Sequence, residues 1–154
     1  MKETRVLFVC MGNICRSPTA EAVFRHKARE TGLKVHIDSA GTIAHHVGEQ
    51  PDPRSRREGE SRGYSFKGQR ARQLQKSDFH DFDHLFAMDS HNLRDMLSLC
   101  PAGLQYKVRL FLTMIDGSPR DVPDPYYGGA RGFTEVLELV EQASDALIKE
   151  LMAK

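Results

Sequence analysis

The chain has 154 residues, of which 22 are basic and 21 acidic, so its formal net charge is +1. This size predicts one domain over residues 1–154. Because the chain has no basic block and no apolar run long enough to cross a bilayer, we expect neither nucleic-acid binding nor a membrane span. A predicted strand follows Met1 so closely that we expect no signal peptide. Three cysteines are too few for a disulfide framework, which favours a cytoplasmic protein.

Residues 6–17, VLFVCMGNICRS, predict a strand, an anion-binding loop and the start of a helix. The apolar, partly β-branched run at 6–9 is typical of a strand buried on both faces in a parallel sheet. Ser17 is a good N-cap and Pro18 suits the first helical position, so we expect the helix to begin at Pro18. The loop then lies at a helix N-terminus, where backbone N–H groups and the helix dipole favour a phosphate-like dianion.

Two side chains make this anion site a candidate reaction site. The field that attracts a phosphate also favours thiolate over thiol at Cys10, which makes it a candidate nucleophile. Arg16 follows after five intervening residues, and its planar fork of donors fits two phosphoryl oxygens. Ser17 can donate a hydrogen bond to the Cys10 sulfur. Gly12 permits a tight turn, and Asn13 tolerates a left-handed backbone.

The run from Cys10 to Pro18, CMGNICRSP, resembles the signature loop of the low-molecular-weight protein tyrosine phosphatases. Cysteine, any five residues, arginine and then serine or threonine are common to all cysteine-based phosphatases, whereas the GNICRSP form is specific to the small family. The resemblance implies a protein-tyrosine-phosphatase with Cys10 as nucleophile and Arg16 as phosphoryl ligand. It also implies that the rest of the loop binds substrate through Met11, Gly12, Asn13, Ile14, Cys15 and Ser17.

The next segment predicts a helix and a second strand. Apolar residues recur at helical spacing between residues 18 and 31, and Gly32 is a typical helix end. Residues 35–39 predict a strand, whose carboxyl end lies on the same side of a parallel sheet as the Cys10 loop. We therefore expect Ser39 to hydrogen-bond the loop, and the resemblance implies the same supporting role.

His45 and His46 are adjacent in an irregular stretch of the sequence. No cysteine or carboxylate cluster accompanies the pair, so we expect no metal site. In the functional interpretation His45 lines the wall of the substrate cleft, where the family often has tryptophan or tyrosine. The alternative is that both are solvated loop histidines, and it stays open chiefly for His46.

The pattern of alternating helices and strands continues to the end of the chain. The predicted elements are a short charged helix opened by Asp52-Pro53, a helical turn at 77–79, a strand at 84–88, a helix at 91–99 and a strand at 107–112. Apolar residues recur every three or four positions from Phe133 onward, which indicates a long final helix. Together these elements predict a three-layer α/β sandwich with a mainly parallel four-stranded sheet and helices on both faces. The resemblance adds that strand one is central.

The second chemical element is the stretch 121–129, DVPDPYYGG. Asp124 lies between two prolines, which restrict its backbone as a positioned proton donor requires. An acid that protonates the leaving oxygen is valuable here because an alkoxide or phenoxide leaves phosphorus slowly. The sequence Asp-Pro-Tyr-Tyr also matches the general-acid signature of the family, which favours Asp124 over Asp121. Tyr126 and Tyr127 are predicted to form an aromatic wall for an aryl phosphate.

The predicted reaction is a two-step displacement at phosphorus that uses no metal and no cofactor. Cys10 attacks and forms a phosphocysteine, while Asp124 protonates the leaving oxygen and then activates water. The expected partners are phosphotyrosine-bearing proteins, and the sequence identifies no cognate kinase. Arsenate reduction is disfavoured because only Cys100 lies downstream, where such a relay wants a cysteine pair. An inert phosphotyrosine-binding module would not need the complete set of nucleophile, arginine and acid.

Cys15 lies in the same loop as the nucleophile, five residues after it. An exposed thiolate is readily oxidised to sulfenic acid, and a nearby thiol can trap that species as a disulfide. Because the loop curls around its anion, we expect the two sulfurs to come within reach of each other. The alternative is that Cys15 only fills space beneath the loop.

Overall fold

The computed structural model describes residues 3–126 and 129–153. In chain order the elements are β1 (Thr4–Cys10), α1 (Arg16–Thr31), β2 (Val35–Gly41), α2 (Pro53–Glu60), α3 (Lys76–Asp81), β3 (His84–Ala87), α4 (Ser90–Leu99), β4 (Val108–Leu110), α5 (Thr113–Asp116) and α6 (Ala130–Met152). A 3-10 turn at Gln105–Lys107 precedes β4. Within the described ranges, no helix combines the length and the apolar character that a bilayer span requires.

The four strands form one sheet in the order β2-β1-β3-β4, and every neighbouring pair is parallel. The predicted central position of strand one is therefore correct. Chain order along the sheet reverses at β1, and crevices for ligands form outside the carboxyl ends of strands at such a switch point. Cys10 is the last residue of β1, so the fold places it at that crevice.

Alternate residues of β1 face two separate apolar cores. Val6 and Phe8 pack in the core that contains α1 and α6, whereas Leu7 and Val9 pack in the core that contains α3 and α4. All four side chains are fully buried. This burial on both faces explains the uninterrupted apolar run in the sequence. The predicted three-layer arrangement with helices on both faces is confirmed.

The start of α1 differs from the prediction. The helix begins at Arg16 with Cys15 as its N-cap, so Ser17 lies in the first turn and does not cap the helix. The Ser17 hydroxyl is instead 3.1 Å from Cys10 Sγ and 2.8 Å from Asn13 Nδ2. The local preference of serine for a cap is overridden because buried polar groups of the loop need this hydroxyl as a partner.

Most other boundaries differ from the predicted ones by one to three residues, and the ends of β4 and the start of α6 are the two that matter most. The strand expected at 107–112 is limited to β4, because among the described residues β4 pairs only with β3, and that pairing ends at Ala87. Beyond that pairing the chain turns into α5. The final helix begins at Ala130, three residues before the first apolar residue of the predicted stripe, Phe133.

Candidate active site

The loop between β1 and α1 is held from outside by its carbonyl groups. They accept hydrogen bonds from backbone N–H groups beyond the loop: Cys10 from Thr42 at 2.9 Å, Met11 from Ile43 at 3.1 Å and Ile14 from Asp52 at 2.7 Å. The described peptide bonds are all trans, so the N–H that follows each carbonyl points away from that partner. Backbone N–H groups of the loop therefore point into the space that the loop encloses, as an anion site requires.

Asn13 organises the hydrogen bonds behind the loop. Its φ is 58°, a left-handed conformation that asparagine tolerates better than most residues. Its Oδ1 accepts from the Arg72 N–H at 3.0 Å, and because that group can only donate, the amide orientation is fixed. Nδ2 then donates to Ser17 Oγ at 2.8 Å and to Ser39 Oγ at 3.0 Å. Ser17 thus accepts from Asn13 and can donate its own proton to a thiolate at Cys10, whose Sγ is 3.1 Å away.

The hydrogen bonds behind the loop form a donor chain that runs from Asn13 through Ser39 and ends at Glu21. Glu21 is buried on α1, and its Oε1 accepts from Ser39 Oγ at 2.6 Å. Its second oxygen pairs with Arg25 at 2.6 Å, which keeps the carboxylate an acceptor. Ser39 must therefore donate to Glu21 and accept from Asn13. Neither Glu21 nor the Arg72 N–H was predicted as part of the site, and the only sequence signal for Glu21 is its i+4 spacing from Ser17.

Arg16 is almost fully buried beside the loop. Its Nη1 donates to Asp89 Oδ2 at 2.7 Å and to the Val122 carbonyl at 3.0 Å, and its Nη2 lies 3.7 Å from Asp124 Oδ2. Burial would lower the pKa of Arg16, but the negative groups Cys10, Asp89 and Asp124 raise it above its ordinary value. The guanidinium is therefore permanently charged at the site.

Cys15 is buried in a small apolar cluster with Ile14, Ala71 and Phe133. Burial, and then the negative charge of Asp52, raise its pKa to about 12. At neutral pH this residue is therefore a thiol, which argues against Cys15 as an alternative nucleophile.

A cavity of about 200 Å³ opens at the enclosed side of the loop. Most of the side chains predicted to form the site line it, namely Cys10, Met11, Gly12, Ile14, Cys15, Arg16, His45, Asp124 and Tyr126. Ile43 and His46, which were not predicted, complete the lining. Asn13, Ser17 and Ser39 lie behind the loop and not in this lining, and Tyr127 lies outside the described residues.

His46 makes closer contacts with the loop than the sequence suggested. A Cβ atom on Gly12 would lie only 2.9 Å from His46 Cδ2, so the ring covers the bare glycine backbone. The ring centroid is 6.3 Å from that of Tyr126, and Nδ1 lies 3.0 Å from Glu49 Oε2. The interpretation of His46 as a solvated loop residue is therefore wrong. His45 also lines the cavity, although it is mostly exposed.

The acid segment, residues 121–126, contributes Asp124 and Tyr126 to the cavity lining. Asp124 Oδ1 accepts from the Tyr126 N–H at 3.1 Å, and its Oδ2 faces Arg16. The Tyr126 ring lies 5.4 Å from the Arg54 guanidinium, an arrangement that suits a cation–π interaction. The position of Asp124 in the cavity lining, beside Arg16, is compatible with proton transfer to a bound phosphoester.

Comparison with known proteins identifies the family. The sequence profile described as low molecular weight phosphotyrosine protein phosphatase matches residues 5–154. The chain belongs to this family. This phosphatase is 47% identical over 151 residues to the low molecular weight phosphotyrosine protein phosphatase of Schizosaccharomyces pombe, with 95% of this chain and 96% of the relative covered. It is 47% identical over 150 residues to the low molecular weight protein-tyrosine-phosphatase of Streptomyces coelicolor, with 94% and 91% covered.

Solved structures agree with this assignment. A crystal structure of protein tyrosine phosphatase from Entamoeba histolytica, with Hepes in the active site, superposes with a TM-score of 0.93 at 42% identity, covering 98% of each chain. The crystal structure of YfkJ from Bacillus subtilis gives a TM-score of 0.91 at 38% identity, covering 99% of this chain and 97% of the other. The family and the enzyme class predicted from the sequence are confirmed.

Proposed function

We propose that this phosphatase hydrolyses phosphotyrosine in proteins through a phosphocysteine intermediate, without a metal or cofactor. The observation that carries the proposal is that Cys10, Arg16 and Asp124 line the same cavity, with the Ser17 hydroxyl 3.1 Å from the Cys10 sulfur. Nucleophile, phosphoryl ligand and acid are the groups that phosphoryl transfer to sulfur needs.

In the first step the Cys10 thiolate attacks phosphorus in line with the leaving tyrosine oxygen. The S–P bond forms as the P–O bond breaks, and Asp124 gives its proton to the departing oxygen. Arg16 and the enclosed N–H groups of the loop stabilise the equatorial oxygens. The products of this step are a phosphocysteine and the dephosphorylated tyrosine.

In the second step the Asp124 carboxylate takes a proton from water as the water oxygen attacks phosphorus. The S–P bond breaks, phosphate leaves, and the thiolate is restored. The Ser17 hydroxyl, 3.1 Å from Cys10 Sγ, stabilises that thiolate as a leaving group.

Phosphotyrosine fits the cavity because its rim is apolar. Met11, Ile43 and Tyr126 are large apolar residues that stay partly exposed there. An aryl ring that contacts these three side chains buries apolar surface on both partners. The side chain of phosphoserine is too short to reach them when its phosphate occupies the loop. Phosphotyrosine-bearing proteins in the cytoplasm are therefore the proposed substrates.

The variant Cys10→Ser tests this mechanism. We expect it to abolish turnover of 4-nitrophenyl phosphate and to retain binding of inorganic phosphate by calorimetry, because the loop N–H groups and Arg16 remain. Wild-type turnover should persist in the presence of a chelator. Multiple turnover by Cys10→Ser, or loss of wild-type activity on chelation, would contradict the proposal. Arsenate-dependent thiol oxidation by the wild type would favour the reductase alternative.

We also propose that Cys15 protects the nucleophile against oxidation. Peroxide converts the Cys10 thiolate to a sulfenic acid, and the Cys15 thiol attacks that sulfur to form a disulfide and release water. The shared cavity lining of the two residues supports this step. Because Cys15 is protonated at neutral pH, we expect trapping to be slow there and faster in alkali. Thiol reductant should restore the peroxide-treated wild type better than Cys15→Ser, and equal recovery would leave only the packing role.

A further inference from the structure

We propose that Asp121 is a positioning residue, which anchors the acid segment to the N-terminus of α4 and so sets the position of Asp124. The inference rests on the general-acid role proposed above for Asp124. Asp121 is absent from the lining of the cavity, so an effect of this residue on the reaction is indirect.

The anchor is a carboxylate that receives two hydrogen bonds from one residue. Asp121 Oδ1 accepts from the Ser90 N–H at 2.9 Å and from Ser90 Oγ at 2.8 Å. Ser90 is the first residue of α4, where backbone N–H groups have no partner within the helix. The N-cap, Asp89, serves a different N–H, that of Asn92 at 2.7 Å. Asp121 therefore complements the cap by accepting from an N–H group of the first helical turn that Asp89 does not serve.

The residue after the anchor is fixed as well. The Val122 N–H donates to the Met88 carbonyl at 2.7 Å, the Val122 carbonyl accepts from Arg16 at 3.0 Å, and the side chain is fully buried. Only Pro123 separates this residue from Asp124. Because proline restricts the backbone, fixing residues 121–122 also restricts the position of Asp124.

Removing the hydrogen bonds between Asp121 and Ser90 should displace Asp124 and leave the packing of the core unchanged. Both Asp121 and Ser90 are exposed, whereas Val122 keeps its buried contacts. A general acid must lie within hydrogen-bond reach of the leaving oxygen, so a small displacement slows its proton transfer. The loss should be greatest for substrates whose leaving group needs the proton most.

The experiment compares kcat/KM for phenyl phosphate, which has a poor leaving group, with kcat/KM for 4-nitrophenyl phosphate, which has a good one. We expect Asp121→Ala to lower the first about tenfold and the second no more than about threefold. Asp116→Ala is the matched control, because Asp116 lies in the same β4–α6 connection and accepts from the Ser118 N–H at 3.0 Å. It should leave the ratio of the two values unchanged. An equal fall for both substrates in Asp121→Ala would overturn the proposal.

Ser90→Pro tests the same anchor from the helix side. It removes both donors at once, and proline is well tolerated at the first position of a helix. The preceding residue, Asp89, has φ −144° and ψ 173°, an extended conformation of the kind favoured before proline. We expect Ser90→Pro to reproduce the selectivity change of Asp121→Ala, and the double variant to add nothing further. Additive losses would show that the two residues act separately and would contradict the anchor.

Asp124→Asn separates this inference from the mechanism on which it rests. We expect Asp124→Asn to change the substrate ratio more than Asp121→Ala does. If Asp124→Asn leaves the ratio unchanged, the general-acid assignment and the anchor both fail. If Asp124→Asn changes the ratio and Asp121→Ala does not, the mechanism stands and the positioning role of Asp121 is overturned.

Discussion

The 2.7 Å ion pair between Arg16 Nη1 and Asp89 Oδ2 determines which edge of the guanidinium faces the substrate cavity. The other Nη1 hydrogen goes to the Val122 carbonyl, which leaves the hydrogens of Nε and Nη2 for phosphoryl oxygens. The same Asp89 side chain caps α4 through a hydrogen bond from the Asn92 N–H. One carboxylate thus aligns the arginine and starts a helix.

These two roles of Asp89 are separable by substitution. Asp89→Ser and Asp89→Ala both lose the ion pair with Arg16, but serine retains a helix cap. We expect both variants to lower kcat/KM by a similar factor, on the order of tenfold, because the arginine loses its alignment. Alanine should lower the free energy of unfolding by about 1 kcal/mol more than serine does. Steady-state kinetics and urea denaturation measure the two effects, and a much less active alanine variant would implicate the cap in activity.

The donor chain behind the loop predicts an effect of Glu21 on the nucleophile. In Glu21→Gln the side-chain amide can donate as well as accept, so Ser39 is no longer compelled to donate to it and accept from Asn13. We expect Glu21→Gln to lower kcat/KM for 4-nitrophenyl phosphate severalfold, because the Cys10 sulfur loses some of the hydrogen bonding directed at it from Ser17. Glu30→Gln is the control, since Glu30 lies on the exposed face of the same helix. Equal kcat/KM values for Glu21→Gln and Glu30→Gln would contradict a role of this hydrogen-bond chain.

The raised pKa of Cys15 predicts a pH dependence of stability. Burial and the charge of Asp52 raise that pKa from 9.0 to about 12, so the unfolded chain loses this proton at lower pH than the folded one. The resulting contribution to stability is fully present below pH 9 and is lost as the pH rises from 9 to about 12. In reducing buffer, the difference in free energy of unfolding between wild type and Cys15→Ala should shrink over this range. A difference that is constant with pH would contradict the assignment.

The contact between Gly12 and His46 predicts a steric coupling. Gly12→Ala places a Cβ 2.9 Å from His46 Cδ2, so the ring must move and the cavity wall moves with it. We expect Gly12→Ala to lower kcat/KM about tenfold, and much of this loss to disappear in the double variant Gly12→Ala/His46→Ala. His46→Ala alone is the reference for the double variant. Equal losses from Gly12→Ala in both backgrounds would show that the methyl group disturbs the loop backbone itself.

The sequence by itself determined the features that depend only on residues close together in the chain. The apolar run at residues 6–9 predicts a strand buried on both faces of a parallel sheet, and β1 is such a strand. Asp52-Pro53 predicts a capped helix, and Asp52 caps α2 by accepting from the Arg54 N–H. The spacing of Cys10 and Arg16 across a loop that leads into a helix predicts an anion site, because loop, dipole and side chains all lie within one short stretch of chain.

Only the tertiary structure decided which distant groups complete that stretch. Ser17 is a typical helix-cap residue, but in the folded loop its hydroxyl contacts Asn13 and Cys10 and does not cap the helix. The orientation of the Asn13 amide is set by Arg72, which lies 59 residues away in the chain. A hydrogen-bonding side chain takes the partner that burial leaves to it, and burial depends on how the strands and helices pack. Local propensity therefore predicted the elements, whereas packing chose the partners of their polar side chains.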